Sequence, residues 1–80
     1  GYGPAMAFYA ERLKNGYGVE KNSELSNLWA SKALSSNDSF AIGYCFYCGV
    51  GAEHNWGKAF TFFEASAKEG NEFGQYYLAV

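Results

Sequence analysis

Eighty residues make one small domain at most, too short to bury a large core. Net charge is −2 and the six Lys and Arg stand singly, so the clustered cations that phosphate backbones require are absent and nucleic acid is not an expected partner. Hydrophobic residues at 49% and aromatic residues at 20% exclude a disordered chain. No apolar run reaches the roughly 18 residues of a membrane helix, and nothing resembles a signal peptide.

In chain order, Pro4 suits the first turn of a helix, where a missing N–H costs nothing. Ala5, Tyr9 and Leu13, spaced i, i+4 and i+8, predict its apolar stripe, and Asn15-Gly16 predicts its end. Tyr17 to Lys21 reads as loop. Asn22 is a good N-cap, with Glu24 favoured in the first turn by the helix dipole. Leu25, Leu28, Trp29 and Ala33 then predict the inward face of a second helix that ends near Ser35. Ser36-Asn37-Asp38 reads as a turn, with Asn37 or Asp38 capping a third helix over Ser39 to Cys48. That helix is apolar nearly all round, as expected of one touched by neighbours on several sides. Gly49 to His54 reads as a second loop. Asn55 caps a fourth helix with Ala59, Phe60, Phe62, Phe63 and Ala67 inward. Glu69-Gly70-Asn71 closes it, and a fifth begins near Glu72.

These elements repeat. Gly16-Tyr17-Gly18-Val19 returns as Gly49-Val50-Gly51-Ala52; each copy is followed by an asparagine, Asn22 or Asn55, and seven residues later by an aromatic, Trp29 or Phe62. The starts Gly1, Asn37 and Gly70 are 36 and 33 residues apart, and the three missing residues fall between Ala41 and Gly49. Repeated helix pairs at such a period predict a helical solenoid. The divisions are 1–36, 37–69 and 70–80, the last being the first helix of a third copy. We expect a piece of a longer array, its ends covered by adjoining repeats. The paired glycines predict positive φ for at least one glycine of each pair, Gly16 or Gly18 and Gly49 or Gly51, as a tight reversal requires.

The chain resembles the Sel1-like repeat family over nearly its whole length. The first copy carries Ala5, Tyr9, Leu13, Gly16, Gly18, Val19, Asn22, Trp29, Lys32 and Ala33 of the family pattern. The second carries Ala41, Cys45, Gly49, Gly51, Asn55, Lys58, Ala59, Phe62, Ala67, Gly70 and Asn71, and the third start Gly74, Tyr76 and Leu78. Ser26 stands where the family usually has Ala, and Ala52 where it has Val. The resemblance implies an all-α fold: antiparallel helix hairpins, TPR-like, stacked into a right-handed α-solenoid. It also implies a scaffold or adaptor role in protein complexes.

The function expected is therefore a non-catalytic scaffold that binds a protein or peptide, with no cofactor, metal, nucleic acid or membrane contact. First helices would line the concave face, which places Phe8, Glu11, Arg12, Tyr44, Tyr47 and Tyr76 toward a partner; aromatic residues and Arg are common interface anchors. The alternative is a small β-lactam or amide hydrolase, which some relatives suggest, or a thiol-redox module. No lysine has a serine three positions before it, as the serine-enzyme motif requires. Cys45 and Cys48 form C-x-x-C, but one His and no second Cys pair are too few for zinc, and a redox thiol is activated at a helix N-terminus, not near its C-terminal end. Small buried apolar residues are the expected role of both. His54 reads as a solvated loop residue, and Glu11 and Arg12 taken singly as a solvated helix face. Asn37-Asp38-Ser39 matches a glycosylation triplet but reads first as a helix cap. The paired glycines follow helices and not strands, which excludes a dinucleotide-binding turn.

Overall fold

Side-chain caps set where the helices begin. Asn22 and Asn55 both take extended backbone (φ −151°), and each side-chain oxygen accepts from the backbone N–H three residues on, Leu25 and Lys58. Asp38 does the same for Ala41, so Asp38 and not Asn37 is the cap; Asn37 takes the left-handed conformation (φ 61°), which Asn tolerates. The computed structural model describes residues 3–79, with side chains as far as residue 77. The repeat start at Gly1 and the side chain of Leu78 lie outside them. The fold is all-α, with α1 (Gly3–Asn15), α2 (Ser23–Leu34), α3 (Ser39–Cys48), α4 (Trp56–Lys68) and α5 (Glu72–Ala79). At 10 residues, α3 is three shorter than the 13 of α1, so the missing residues come out of the helix and leave the loop intact.

The two loops inside the hairpins are built alike. Gly16 and Tyr17 N–H both donate to the Arg12 carbonyl, and Gly49 and Val50 N–H both donate to the Cys45 carbonyl. Asn22 N–H donates to Leu13 at 2.9 Å, and Asn55 N–H to Phe46 at 3.1 Å, both partners being 33 residues apart. All four glycines of the loops have positive φ, between 69° and 76°. Yet their surroundings differ. A Cβ on Gly18 would meet nothing within 4 Å, whereas one on Gly51 would stand 2.5 Å from Ala30 Cβ. The second loop is pressed onto α2 and the first onto nothing described.

Consecutive helices pack in pairs. α1 lies along α2 and α3, α4 along α3 and α5, and α2 touches α3 more lightly; the whole occupies 35 × 23 × 20 Å. The inward faces differ from those expected. In α1 the buried residues are Pro4, Ala7, Ala10 and Leu13, while Ala5 is exposed and Tyr9 stands at the surface with its ring edge on Trp29. In α2 they are Ser26, Ala30 and Ala33, while Leu28 is 50% exposed and Leu25 and Trp29 are half-buried. In α4 they are Ala59, Phe63 and Ser66, with Phe60 38% exposed and Phe62 and Ala67 half-buried. The cause is close backbone approach. Helices that nearly touch admit Ala, Gly and Ser between them and turn the large side chains to the flanks, so a stripe drawn through the bulky residues is rotated off the true seam.

Two seams solve this differently. Ala7 and Ala30 are fully buried in the first hairpin; the matching positions of the second hold Gly43 and Phe63. A Cβ on Gly43 would meet the Phe63 ring at 2.9 Å, so one side chain has lost what the other gained. Phe63 then stacks on Phe40 with ring centroids 5.6 Å apart, and both are buried completely. Polar groups follow the same logic. Ser26 Oγ, where alanine was expected, donates to the Ala10 carbonyl at 2.6 Å and ties α2 to α1. Ser66 Oγ is buried with no hydrogen-bond partner among the described residues.

Candidate functional site

Helical spacing puts Phe40, Tyr44, Tyr47 and Cys48 on one side of α3, at i, i+4, i+7 and i+8. Phe8 and Glu11 of α1 meet that side from one flank, and Phe73, Tyr76 and Tyr77 of α5 from the other. Phe8 packs edge-on against Tyr44 (4.8 Å), Phe40 (5.8 Å) and Phe73 (5.8 Å). Tyr77 touches Phe40, Tyr44, Tyr47 and Phe63, all within 5.8 Å. Rings thus join α3 to α5, where α1 and α3 meet directly. The result is an aromatic wall running across three helices.

At its α1 end the wall carries polar tips. Tyr44 O–H donates to Glu11 Oε1 at 2.7 Å, and Cys48 Sγ donates to Glu11 Oε2 at 3.2 Å. Burial, then the bond to Glu11, holds the Tyr44 phenol well above its usual range. Burial raises Tyr77 as well. It also pushes the Cys48 thiol up to about 12 and the Cys45 thiol up to about 11. For Cys48 the Tyr44 hydrogen bond lowers and the Glu11 bond raises what burial sets. Desolvation disfavours the thiolate, so at neutral pH both sulfurs are neutral thiols. They face different ways, Cys45 toward the Ala30 carbonyl of α2 (4.0 Å) and Cys48 toward α1.

Of the residues expected to face a partner, Phe8, Glu11, Tyr44 and Tyr47 come together on this wall. Tyr44 is only 7% exposed, so it is a supporting ring whose bulk belongs to the core. Tyr76 is the reverse, at 65% exposed, with its ring edge on Tyr77. Arg12 is exposed and makes none of these contacts. Glu11 is half-buried and hydrogen-bonded, so it departs from the solvated reading of a lone helix charge. Cys48 departs too: Cys45 is the buried apolar residue expected, whereas Cys48 is half-buried and a donor. Sequence reasoning missed Phe73 and Tyr77. Their i, i+4 spacing was available, but a helix with no visible partner gave no reason to choose a face.

Elsewhere the surface is simpler. His54 is exposed in its loop, edge-on to Trp56 at 4.7 Å. Asn37 is exposed beside the Asp38 cap. An open groove of about 770 Å³ lies between α2, α3 and α4, floored by Leu34, Ile42, Phe46 and Phe62 with Lys58 over the Phe46 ring. Among the described residues no group of three or more His, Cys, Asp and Glu is placed to hold a metal, and no helix is long and apolar enough to cross a membrane. No protein-family model, curated protein or solved structure matches the chain.

Proposed function

We propose that this chain is part of a Sel1-like array, a right-handed solenoid of helix hairpins, and that it acts as a protein-interaction scaffold without chemistry of its own. The observation that carries the reading is the aromatic wall: rings from α1, α3 and α5 form one surface, from buried Tyr44 to Tyr76 at 65% exposed. Aromatic side chains give large contact area at low entropic cost, and graded burial holds the exposed ones in place. The duplicated loops support the array, since the same hydrogen bonds recur at a spacing of 33 residues. Burial of both thiols weighs against the thiol-redox alternative, which needs a ready thiolate.

Selection of peptides from a random display library on the folded domain tests the reading. Selected peptides should lose binding to Tyr76→Ala and Tyr47→Ala, with helicity by circular dichroism unchanged. Peptides that bind both variants as tightly as wild type, or a library that yields none, would refute it.

A further inference from the structure

We infer that the partner presents a basic side chain, Arg or Lys, which seats on the Glu11 carboxylate at the α1 end of the wall; this deepens the interaction-surface reading and rests on it. Glu11 is half-buried, and each of its oxygens already accepts one hydrogen bond. Both donors, the Tyr44 phenol and the Cys48 thiol, are neutral groups. No lysine or arginine among the described residues pairs with Glu11. Lys14, three residues on, donates its Nζ to the Gly49 carbonyl at 2.8 Å, and Arg12 is exposed. The negative charge is therefore held in place and left uncompensated.

Each carboxylate oxygen has two lone pairs, so a second donor can be accepted beside each existing one. Charge pairing is stronger where protein has replaced part of the water, and a charged donor makes a shorter, stronger hydrogen bond than a neutral one. Rings adjoin the site: Phe8 and Tyr47 each pack on Tyr44, and Tyr77 touches both tyrosines. Aromatic rings attract a cation and accommodate the apolar stem of Lys or Arg. An acidic or purely apolar anchor would meet an unpaired carboxylate and be disfavoured there.

The probes are three capped hexapeptides of one apolar framework, Ser-Leu-Xaa-Leu-Tyr-Ser, with arginine, norleucine or glutamate as the third residue, titrated into the 15N-labelled chain. The arginine peptide should shift the backbone signals of Glu11, Tyr44 and Cys48. Its affinity should exceed that of the norleucine peptide by about ten-fold and fall by about ten-fold in Glu11→Gln, one added ion pair's worth. Should Glu11→Gln fail to fold, the comparison of arginine with norleucine on wild type decides alone. Equal binding of all three peptides on this face, or preference for glutamate, would sink the basic anchor and leave the interaction surface standing. No binding by any of them would sink both. A dimer in sedimentation that Glu11→Gln dissociates would make the occupant a second copy of this chain and overturn the peptide proposal.

Discussion

Gly18 and Gly51 have nearly the same backbone conformation, φ 73° and 69°, in loops with the same hydrogen bonds. Alanine at either position incurs the left-handed penalty, about 1–2 kcal/mol. At Gly18 that is the whole cost, because the new methyl would meet nothing within 4 Å. At Gly51 it would stand 2.5 Å from Ala30 Cβ and 3.4 Å from Leu34 Cδ1, so the loop must lift off α2. Overpacking of this kind adds about 1–3 kcal/mol. Gly51→Ala should therefore unfold at a Tm below Gly18→Ala by roughly 4 °C or more, since about 1 kcal/mol moves a domain of this size by about 4–8 °C. Thermal unfolding followed by far-UV circular dichroism measures both. The double variant Gly51→Ala with Ala30→Gly removes the clashing methyl and should recover part of the loss, less about 1 kcal/mol for glycine inside a helix. Equal Tm values for the two single variants would refute the packing of the second loop on α2, and with it the contact that makes one hairpin sit on the next.

Ser66→Ala should raise stability by about 1 kcal/mol, because the buried hydroxyl has no partner; a lower Tm would reveal a bond it makes. Tyr44→Phe should cost roughly 1–2 kcal/mol in urea unfolding by losing the 2.7 Å bond to Glu11, and an unchanged midpoint would show that bond to be worthless. Both thiols titrate higher folded than unfolded, at about 11 and 12 against 9.0, so the unfolded chain loses its thiol protons first as pH rises. Stability should thus be whole below pH 9 and fall between pH 9 and 12, a slope that Cys45→Ala with Cys48→Ala should flatten; a Tm independent of pH in that window would contradict the burial. The same burial predicts slow alkylation of both cysteines at pH 8 in the native chain and fast alkylation in denaturant.

Helix ends were legible because they are set locally. Asn22, Asp38 and Asn55 cap through their own side chains, and Gly16 and Gly49 end helices because glycine takes positive φ freely, so each signal sits at the residue it controls. Helix faces were less legible. Tyr9, Leu28 and Phe60 look like core residues, yet the seams are filled by Ala7, Ala10, Ala30 and Ala33, which carry almost no hydrophobic signal. Which face is buried depends on how near the next backbone comes, and that distance is a property of the pair. The exchange of Gly43 and Phe63 for two alanines shows the same thing, since neither residue explains itself alone. The site follows this pattern: Phe8, Tyr44 and Tyr47 could be assigned to a common face, while the Glu11 contacts to Tyr44 and Cys48 join residues 33 and 37 apart in sequence and needed the packing of α1 on α3.

One consequence concerns how such a surface can be probed. Its rings are both structure and contact, in proportions set by burial. Removing Tyr44, at 7% exposed, opens a cavity among Phe8, Phe40 and Tyr77 and strips a donor from Glu11, so lost binding in Tyr44→Ala would report a disordered wall. Phe8 is compromised in the same way by its three ring contacts. Tyr76 has a single ring neighbour in Tyr77 and is 65% exposed, so its loss removes contact area and little else. Glu11→Gln occupies the same volume and keeps an acceptor while removing the charge. Only changes of these two kinds separate recognition from folding on this face, because everywhere else the atoms that would touch a partner are the atoms that hold α1, α3 and α5 together.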